Sequence, residues 1–339
     1  MHDGDILILK GSEVNSLLAG RELELIQTVR MAYETHAQGA SSLPHSTFLR
    51  FPNNQRDRII ALPAYLGGDW EVAGVKWVSS FPGNLGAGLD RASALVVLNS
   101  PRTGRPEAIL EGSIISAKRT AASAALAGHC LRADGNADHL GMIGCGLINF
   151  EIARFLLAAA PQIRRLIVHD LDLARARQFE RKCKEIFGAV EVEIVEDIKT
   201  VLRACDLISL ATTAVTPHID DLSDVPPGGV ILHVSLRDLS PRVLLSCDNV
   251  VDDVDHVCRA QTSVHLAEQL TGARDFVRCA LADILSGRAE ARRDARGIVV
   301  FSPFGLGILD LAVGKLVRDL ALKQNQGTII RSLLPEPWI

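Results

Sequence analysis

The sequence predicts an α/β fold in two parts, and three observations carry that reading. From residue 139 onward, short apolar runs alternate with helical stretches of about ten or more residues, the signature of βαβ units on a parallel sheet. Between about residues 46 and 110, β-rich runs are separated by turn material alone, which reads as a mainly antiparallel sheet. The composition agrees: 27 Gly, 47% hydrophobic and only 4% aromatic residues suit an Ala/Val/Ile/Leu core better than an aromatic-rich sandwich. At 339 residues the chain has room for two domains of roughly 150 residues each.

In order along the chain, residues 21–39 (RELELIQTVRMAYETHAQG) carry Leu25, Val29 and Ala32 at helical spacing and stop at Gly39. Five runs follow: STFLRF, RIIALPAYL, EVAGVKWVSSF, SALVVLN and PEAIL. The turns PNNQRD, LGGD, PGNLGAGLD and SPRTGRP part them. Ser113 opens a helix, SIISAKRTAASAALAGHCL, as its N-cap. Residues 133–138 (ADGNAD) read as a linker. Strand HLGMIG, helix LINFEIARFLLAAA, strand RRLIVHD and helix LARARQFERKCKEIFG come next. VEVEIV, a helix near DIKTVLRAC, and strands DLISLATT and GGVILHVSL complete the alternation. Residues 306–324 form a last helix with Ile308, Leu311, Ala312 and Leu316 on one face.

Thirty-six basic against forty acidic side chains leave a net charge of −4, with no footprint for nucleic acid or an anionic membrane. No apolar run approaches the roughly 18 residues of a spanning helix. Residues 1–10 include Asp3 and Asp5 and no long apolar segment, so a cytoplasmic location is expected. The seven cysteines are scattered without a Cys-x-x-Cys pair, which argues for a reducing compartment and no disulfide framework. The ten histidines form no zinc-like spacing, so no metal is expected.

Gly144-Cys-Gly146-Leu147-Ile148-Asn149 follows a predicted strand and opens a predicted helix. The two glycines allow a tight turn and close approach of backbone to a pyrophosphate, which the helix N-terminus favours. Asn149 stands where a third Gly or Ala is usual. Asp170 ends the second strand, placed to accept hydrogen bonds from ribose hydroxyls and to repel a 2′-phosphate, so NAD is expected over NADP; Arg175 and Arg177 lie nearby. Thr212 and Thr213 end the DLISLATT strand, on the rim where dinucleotides lie, or are β-branched strand ends without a ligand. With Leu147, Ile148 and Ser235 they complete the expected cofactor set.

Lys76, in the apolar run VAGVKWVSS, is either an acid/base or carboxylate ligand tuned by burial, or a solvated lysine on an exposed face. Arg119 sits among small residues early in its helix, suited to bidentate carboxylate capture or simply to the surface. Asp238 in HVSLRDLSP is an acid/base past a parallel strand, or a turn-forming Asp before Ser240-Pro241. Arg50 or Arg58 offers a second carboxylate clamp. His45 and His233 are proton carriers or structural histidines.

Together these blocks resemble the ornithine cyclodeaminase/mu-crystallin family. GSIISAKRTAASAAL (112–126) looks like its Arg-Thr-Ala-Ala helix, VKWVSSFPGN (75–84) like its Lys strand, and ALVVLNSPRTGRPEAILEG (94–112) like the strand pair that follows. MIGCGLI (142–148) looks like its nucleotide loop and FSPFGLGILDLAVGKLV (301–317) like its Ser–Gly–Asp helix motif. The resemblance implies a Rossmann NAD-binding domain, 133–305, inserted in an α+β substrate-binding and dimerisation domain, 1–132 plus 306–339, and a homodimer formed through the first sheet. It implies that Lys76 and Arg119 hold a carboxylate of a small amino-acid substrate and that Asp238 is the acid/base. Where the family carries Pro-x-Arg, this chain reads Pro44-His45-Ser46, so that arginine has moved to Arg50 or gone. SSFPGN, RASALVVLN, EGSIISAKRTA and LRFPNNQRDRIIALPAYLGG look closest to one branch. That branch oxidatively splits N-(2-amino-2-carboxyethyl)-L-glutamate with NAD for siderophore and peptide-antibiotic pathways. The family's other activities are a cyclodeaminase, an alanine dehydrogenase or ketimine reductase, and a mu-crystallin-like binder.

Overall fold

The computed structural model describes residues 4–132 and 138–335; of the expected linker 133–138, residues 133–137 lie outside the described residues and Asp138 lies within them. The chain separates into two units, Met1–Arg119 with Leu306–Ile339, and Thr120–Gly305. The second boundary falls at 305/306 and the first at 119/120, inside a helix.

In the first unit β1 (Ile6–Leu9), α1 (Gly11–Leu18) and α2 (Glu22–Ala37) precede β2 (Ser41–Ser42), β3 (Thr47–Phe51), β4 (Asn54–Leu66), β5 (Val72–Ser80), β6 (Ala92–Asn99) and β7 (Pro106–Glu111). Helix α3 (Ser113–Leu131) follows and crosses the boundary. After the second unit the chain returns with α11 (Gly307–Gln324) and β16 (Thr328–Ile330). The strands make one sheet in the order β16-β1-β7-β6-β5-β4-β2, with β3 on β4. It is antiparallel as expected except for β1 against β7, which is parallel. Strands β1 and β16, which pair with each other, were not expected from the sequence.

Helix α11 lies across one face of this sheet. Its Ile308, Leu309, Leu311, Ala312, Val313 and Val317 are fully buried. Each such aliphatic side chain larger than Ala contributes about 1.5–3 kcal/mol of transfer free energy. Close contact needs small residues: a Cβ on Gly307 would stand 3.2 Å from Ala64 Cβ, and one on Gly314 would stand 3.3 Å from Val96 Cγ1. Helix α3 starts differently from the expectation. Ser113 is its first helical residue, and the Glu111 carboxylate does the capping, accepting from Ser113 N at 2.7 Å and Ile114 N at 3.1 Å. A carboxylate at a helix N-terminus also gains from the helix dipole, so it outcompetes a hydroxyl.

The second unit contains β8 (His139–Ile143), α4 (Leu147–Ala159), β9 (Arg165–His169), α5 (Leu173–Phe187), β10 (Glu191–Ile194), α6 (Ile198–Ala204), β11 (Leu207–Leu210) and β12 (Val230–His233). Then come α7 (Pro241–Leu245), β13 (Asp248–Val251), α8 (Val254–Val257), α9 (Ser263–Thr271), β14 (Val277–Ala280), α10 (Leu281–Leu285) and β15 (Val299–Ser302). All ladders in its sheet are parallel, in the order β10-β9-β8-β11-β12-β15-β13-β14. The order reverses between β8 and β11, which makes a doubly wound Rossmann sheet with its switch point beside the glycine loop. Strand β11 stops at Leu210, so Thr212 and Thr213 lie in the loop beyond it, not on the strand.

Candidate functional site

In the second unit the glycine loop leads from β8 into α4. Gly144 takes φ +93°, and a Cβ there would stand 2.6 Å from Ala211 O, so only glycine fits the turn. Gly146 caps α4 with extended backbone and no side-chain hydrogen bond, and a Cβ on it would meet nothing within 4 Å. That open space in front of a helix N-terminus is a cradle a side chain would fill, and it suits a pyrophosphate. Asn149, the departure from the glycine pattern, is fully buried. Its Nδ2 donates to Ile143 O at 3.0 Å and to Gly144 O at 2.6 Å, while Ser209 Oγ donates to its Oδ1 at 2.7 Å. It braces the turn from behind.

Asp170, past β9, accepts from Cys145 N at 2.7 Å and from Asp172 N at 2.9 Å, which ties the acid to the loop while leaving each oxygen a further lone pair for a ribose hydroxyl. Leu147, the first residue of α4, and Leu171 and Val215, on the loops after β9 and β11, are exposed by 61%, 98% and 80%. Exposed apolar side chains beside the glycine loop suit contact with a ligand there. Leu171 and Val215 were not expected from the sequence. Their signal is faint: an apolar residue in a polar loop after each strand. The residues present therefore fit a dinucleotide.

Beyond β11 and β12 a second group gathers around Asp238, which is fully buried. Thr212 Oγ1 donates to its Oδ1, and Ser235 Oγ donates to its Oδ2. His218 Nε2 lies 3.0 Å from Oδ1. His233, also fully buried, accepts from Asp238 N through Nε2 at 3.1 Å and lies 3.2 Å from Ser302 Oγ through Nδ1. Burial works against the charged carboxylate, but His233, Ser235 and Thr212 outweigh it and hold the carboxyl below its usual range. Leu236 takes φ +71° in this loop, an uncommon conformation for a side chain of its size. Thr213 is exposed.

In the first unit β5, α3 and α11 bring three charges together. Lys76 is buried, not solvated: its Nζ is 2.7 Å from Asp310 Oδ2 and donates to Ser116 Oγ at 3.2 Å. Arg119 donates from Nε to Asp310 Oδ1 at 3.0 Å and from Nη2 to Ser116 Oγ at 3.4 Å. Asp310 is fully buried. Burial raises its carboxyl, yet Arg119 and Lys76 outweigh that and keep it below the usual range. Lys76 is pushed down to about 8, chiefly by burial and also by Arg119, against the pull of Asp310. One carboxylate between two cations leaves one net positive charge, and a third Nζ–H and the Nη1 group have no partner among the described residues. Such a group can capture a carboxylate or move a proton near neutral pH.

Asp310 lies in the block that resembles the family's Ser–Gly–Asp motif but was not among the expected site residues. Its signal is a single acid inside the run LGILDLAVG, on a helix buried almost all round. Arg50 and Arg58 are direct cross-strand partners on β3 and β4. Strand alternation from Leu62, the register partner of Lys76, puts Arg58 and Arg50 on the Lys76 face, about 13 Å along β4. His45 lies on the exposed approach to β3.

The sequence model of the ornithine cyclodeaminase/mu-crystallin family matches residues 6–325. The N-((2S)-2-amino-2-carboxyethyl)-L-glutamate dehydrogenase of Staphylococcus aureus is 27% identical over 332 residues, covering 96% of this chain and 98% of its own. The alanine dehydrogenase of Archaeoglobus fulgidus is 29% identical over 342 residues, with 96% and 98% covered. The structure of Thermococcus litoralis Δ1-pyrroline-2-carboxylate reductase in complex with NADH and L-proline matches at TM-score 0.88 and 26% identity, with 95% of this chain and 99% of that one covered.

Proposed function

The chain belongs to the ornithine cyclodeaminase/mu-crystallin family, and from that premise we propose that it is an NAD-dependent dehydrogenase that cleaves N-(2-amino-2-carboxyethyl)-L-glutamate to 2-oxoglutarate and L-2,3-diaminopropionate. The observation that carries the substrate choice is the spread of cations on one sheet face. This substrate has three carboxylates, whereas alanine and pyrroline-2-carboxylate have one each. Lys76 and Arg119 keep free donors for one carboxylate. Arg50 and Arg58, opposed across β3 and β4, add two guanidinium groups to the same face. The likeness to the Staphylococcus aureus enzyme supports the same reading. Its amine product suits siderophore or peptide-antibiotic assembly.

Gly144, Gly146, Leu147 and Ile148 would hold the pyrophosphate of NAD, Asp170 its adenosine ribose, and Thr212, Thr213 and Ser235 its nicotinamide half. The bound dinucleotide supplies hydride acceptance. Arg119 and Lys76 orient the secondary amine by its carboxylate. The group around Asp238 manages the protons as water adds to the oxidised carbon and the C–N bond breaks. The outward face of the first sheet, with Leu49, Trp77 and Leu95 exposed, supports a homodimer. The seven cysteines are free thiols, which fits a cytoplasmic enzyme, and among the described residues no helix is long and apolar enough to cross a membrane.

The test is NADH absorbance with NAD and N-(2-amino-2-carboxyethyl)-L-glutamate, beside L-alanine and L-ornithine. NADH with equal 2-oxoglutarate from the first substrate alone is the expected result. The second reading is an alanine dehydrogenase, favoured by the 29% identity to the archaeal enzyme; NADH from alanine would establish it. Proline from ornithine without net NADH would make the chain a cyclodeaminase.

A further inference from the structure

We propose that the group that carries protons in this site is His218, with Asp238 acting through it as a positioning residue. The inference rests on the dehydrogenase reading above. Asp238 exposes no surface, and its oxygens are occupied by Thr212, Ser235 and His218. A carboxylate so enclosed does not meet a substrate. His218 differs: about a third of its side chain (34%) is exposed. Its Nε2 faces Asp238 Oδ1 at 3.0 Å, and Nδ1 has no partner among the described residues. A carboxylate at Nε2 holds the ring as the Nε2–H tautomer and leaves Nδ1 as the accepting nitrogen.

The backbone fixes this arrangement. His218 N and Ile219 N both donate to Asp238 O at 2.9 Å, and Ile219 bridges to Leu239. Pro217 restricts the approach to the loop. The dyad lies beyond β11 and β12, on the side of the switch point opposite Asp170. With the adenosine half assigned to Asp170, the nicotinamide half falls on the β11–β12 side. The Gly144 turn packs against Ala211, one residue from Thr212. The lowered pKa of Asp238 points the same way, because a group that stays ionised orients better than it takes up protons.

The chemistry balances. Hydride transfer to NAD leaves an iminium on the substrate. Water adds its oxygen to the iminium carbon, and Nδ1 takes one water proton. The same proton passes to nitrogen as the C–N bond breaks. The remaining hydroxyl proton returns to Nδ1 and then to solvent, giving the ketone, the amine, NADH and one proton. The titratable groups paired with this cluster are Asp238 and, behind it, His233; Asp220 follows two residues on.

Two measurements test the assignment on the full-length protein. The first needs no turnover: ring NMR of selectively labelled histidine, with the His218 signal assigned from His218→Gln. The Nε2–H tautomer is expected, and Asp238→Asn is expected to lose it. An unchanged ring in Asp238→Asn overturns the dyad. The second is kcat/KM against pH with N-(2-amino-2-carboxyethyl)-L-glutamate. His218→Gln is expected to lose about 100-fold or more and to flatten the acidic limb, with NADH affinity by fluorescence unchanged. Imidazole should partly rescue His218→Ala. A native enzyme that is active and a His218→Gln variant within threefold of it overturn the assignment alone. A native chain silent on every substrate above overturns the dehydrogenase reading and this assignment with it.

Discussion

Asp310 and Asp238 are both fully buried carboxylates, yet they are solvated in opposite ways. Asp310 faces two cations, Lys76 and Arg119. Asp238 faces hydroxyls and imidazoles. The first arrangement neutralises charge incompletely and leaves donors over for a ligand. The second fills the acceptor completely and fixes the groups around it. The same residue type thus gathers cationic donors in one unit and fixes an orienting frame in the other.

Removing the charge of Asp310 tests the first half of that contrast hardest. Asp310→Asn strands two buried cations, and we expect a loss of about 3–5 kcal/mol in urea unfolding, with activity abolished. Stability within 1 kcal/mol of native would mean the cations do not depend on it. Asp238→Asn keeps the shape of the side chain and leaves hydroxyl and imidazole partners that can reorient, so a smaller loss of about 2 kcal/mol is expected. Its folded pKa lies below the unfolded value, so native Asp238 contributes stability above the unfolded pKa and loses it as pH falls through the folded one. The variant should therefore lose less stability than the native protein between about pH 4 and pH 2.

Lys76→Met leaves Arg119 and Asp310 as a balanced pair, so stability should change by less than about 1 kcal/mol while turnover falls at least 100-fold. Native Lys76 titrates near 8 when folded and about 10.4 unfolded, so stability rises with pH between those values. That rise should be missing from Lys76→Met, and its persistence would remove Lys76 as its source. The smallest structural effect is expected of Gly146→Ala. Its φ of −96° suits any residue and its Cβ meets nothing, so Tm should hold while NADH affinity drops about tenfold or more. Unchanged affinity would move the pyrophosphate elsewhere.

The sequence carried the βαβ order, the glycine loop and Lys76 and Arg119 as separate candidates. It carried the residue that unites them, Asp310, only as the acid of a motif with no role attached. Asp310 is silent to a periodic reading because α11 is buried on nearly every side, so its apolar residues define no polar face on which to miss an acid. Strands β1 and β16 escaped because each is short and their partner is distant in the chain. Between residues 241 and 302 most elements span four or five residues, below the window in which a period can be recognised. His218 had no local signal at all, since its partner is twenty residues away and in another loop.

Asn149 has a kinetic consequence. Its amide holds Ile143 O, Gly144 O and Ser209 in place before any nucleotide arrives. The glycine loop then has little conformational entropy left to lose on binding, and the cost of ordering falls on the torsions of the nucleotide itself. Cofactor capture should proceed at the rate of encounter, and the lifetime of the complex should be set by how fast the dinucleotide leaves.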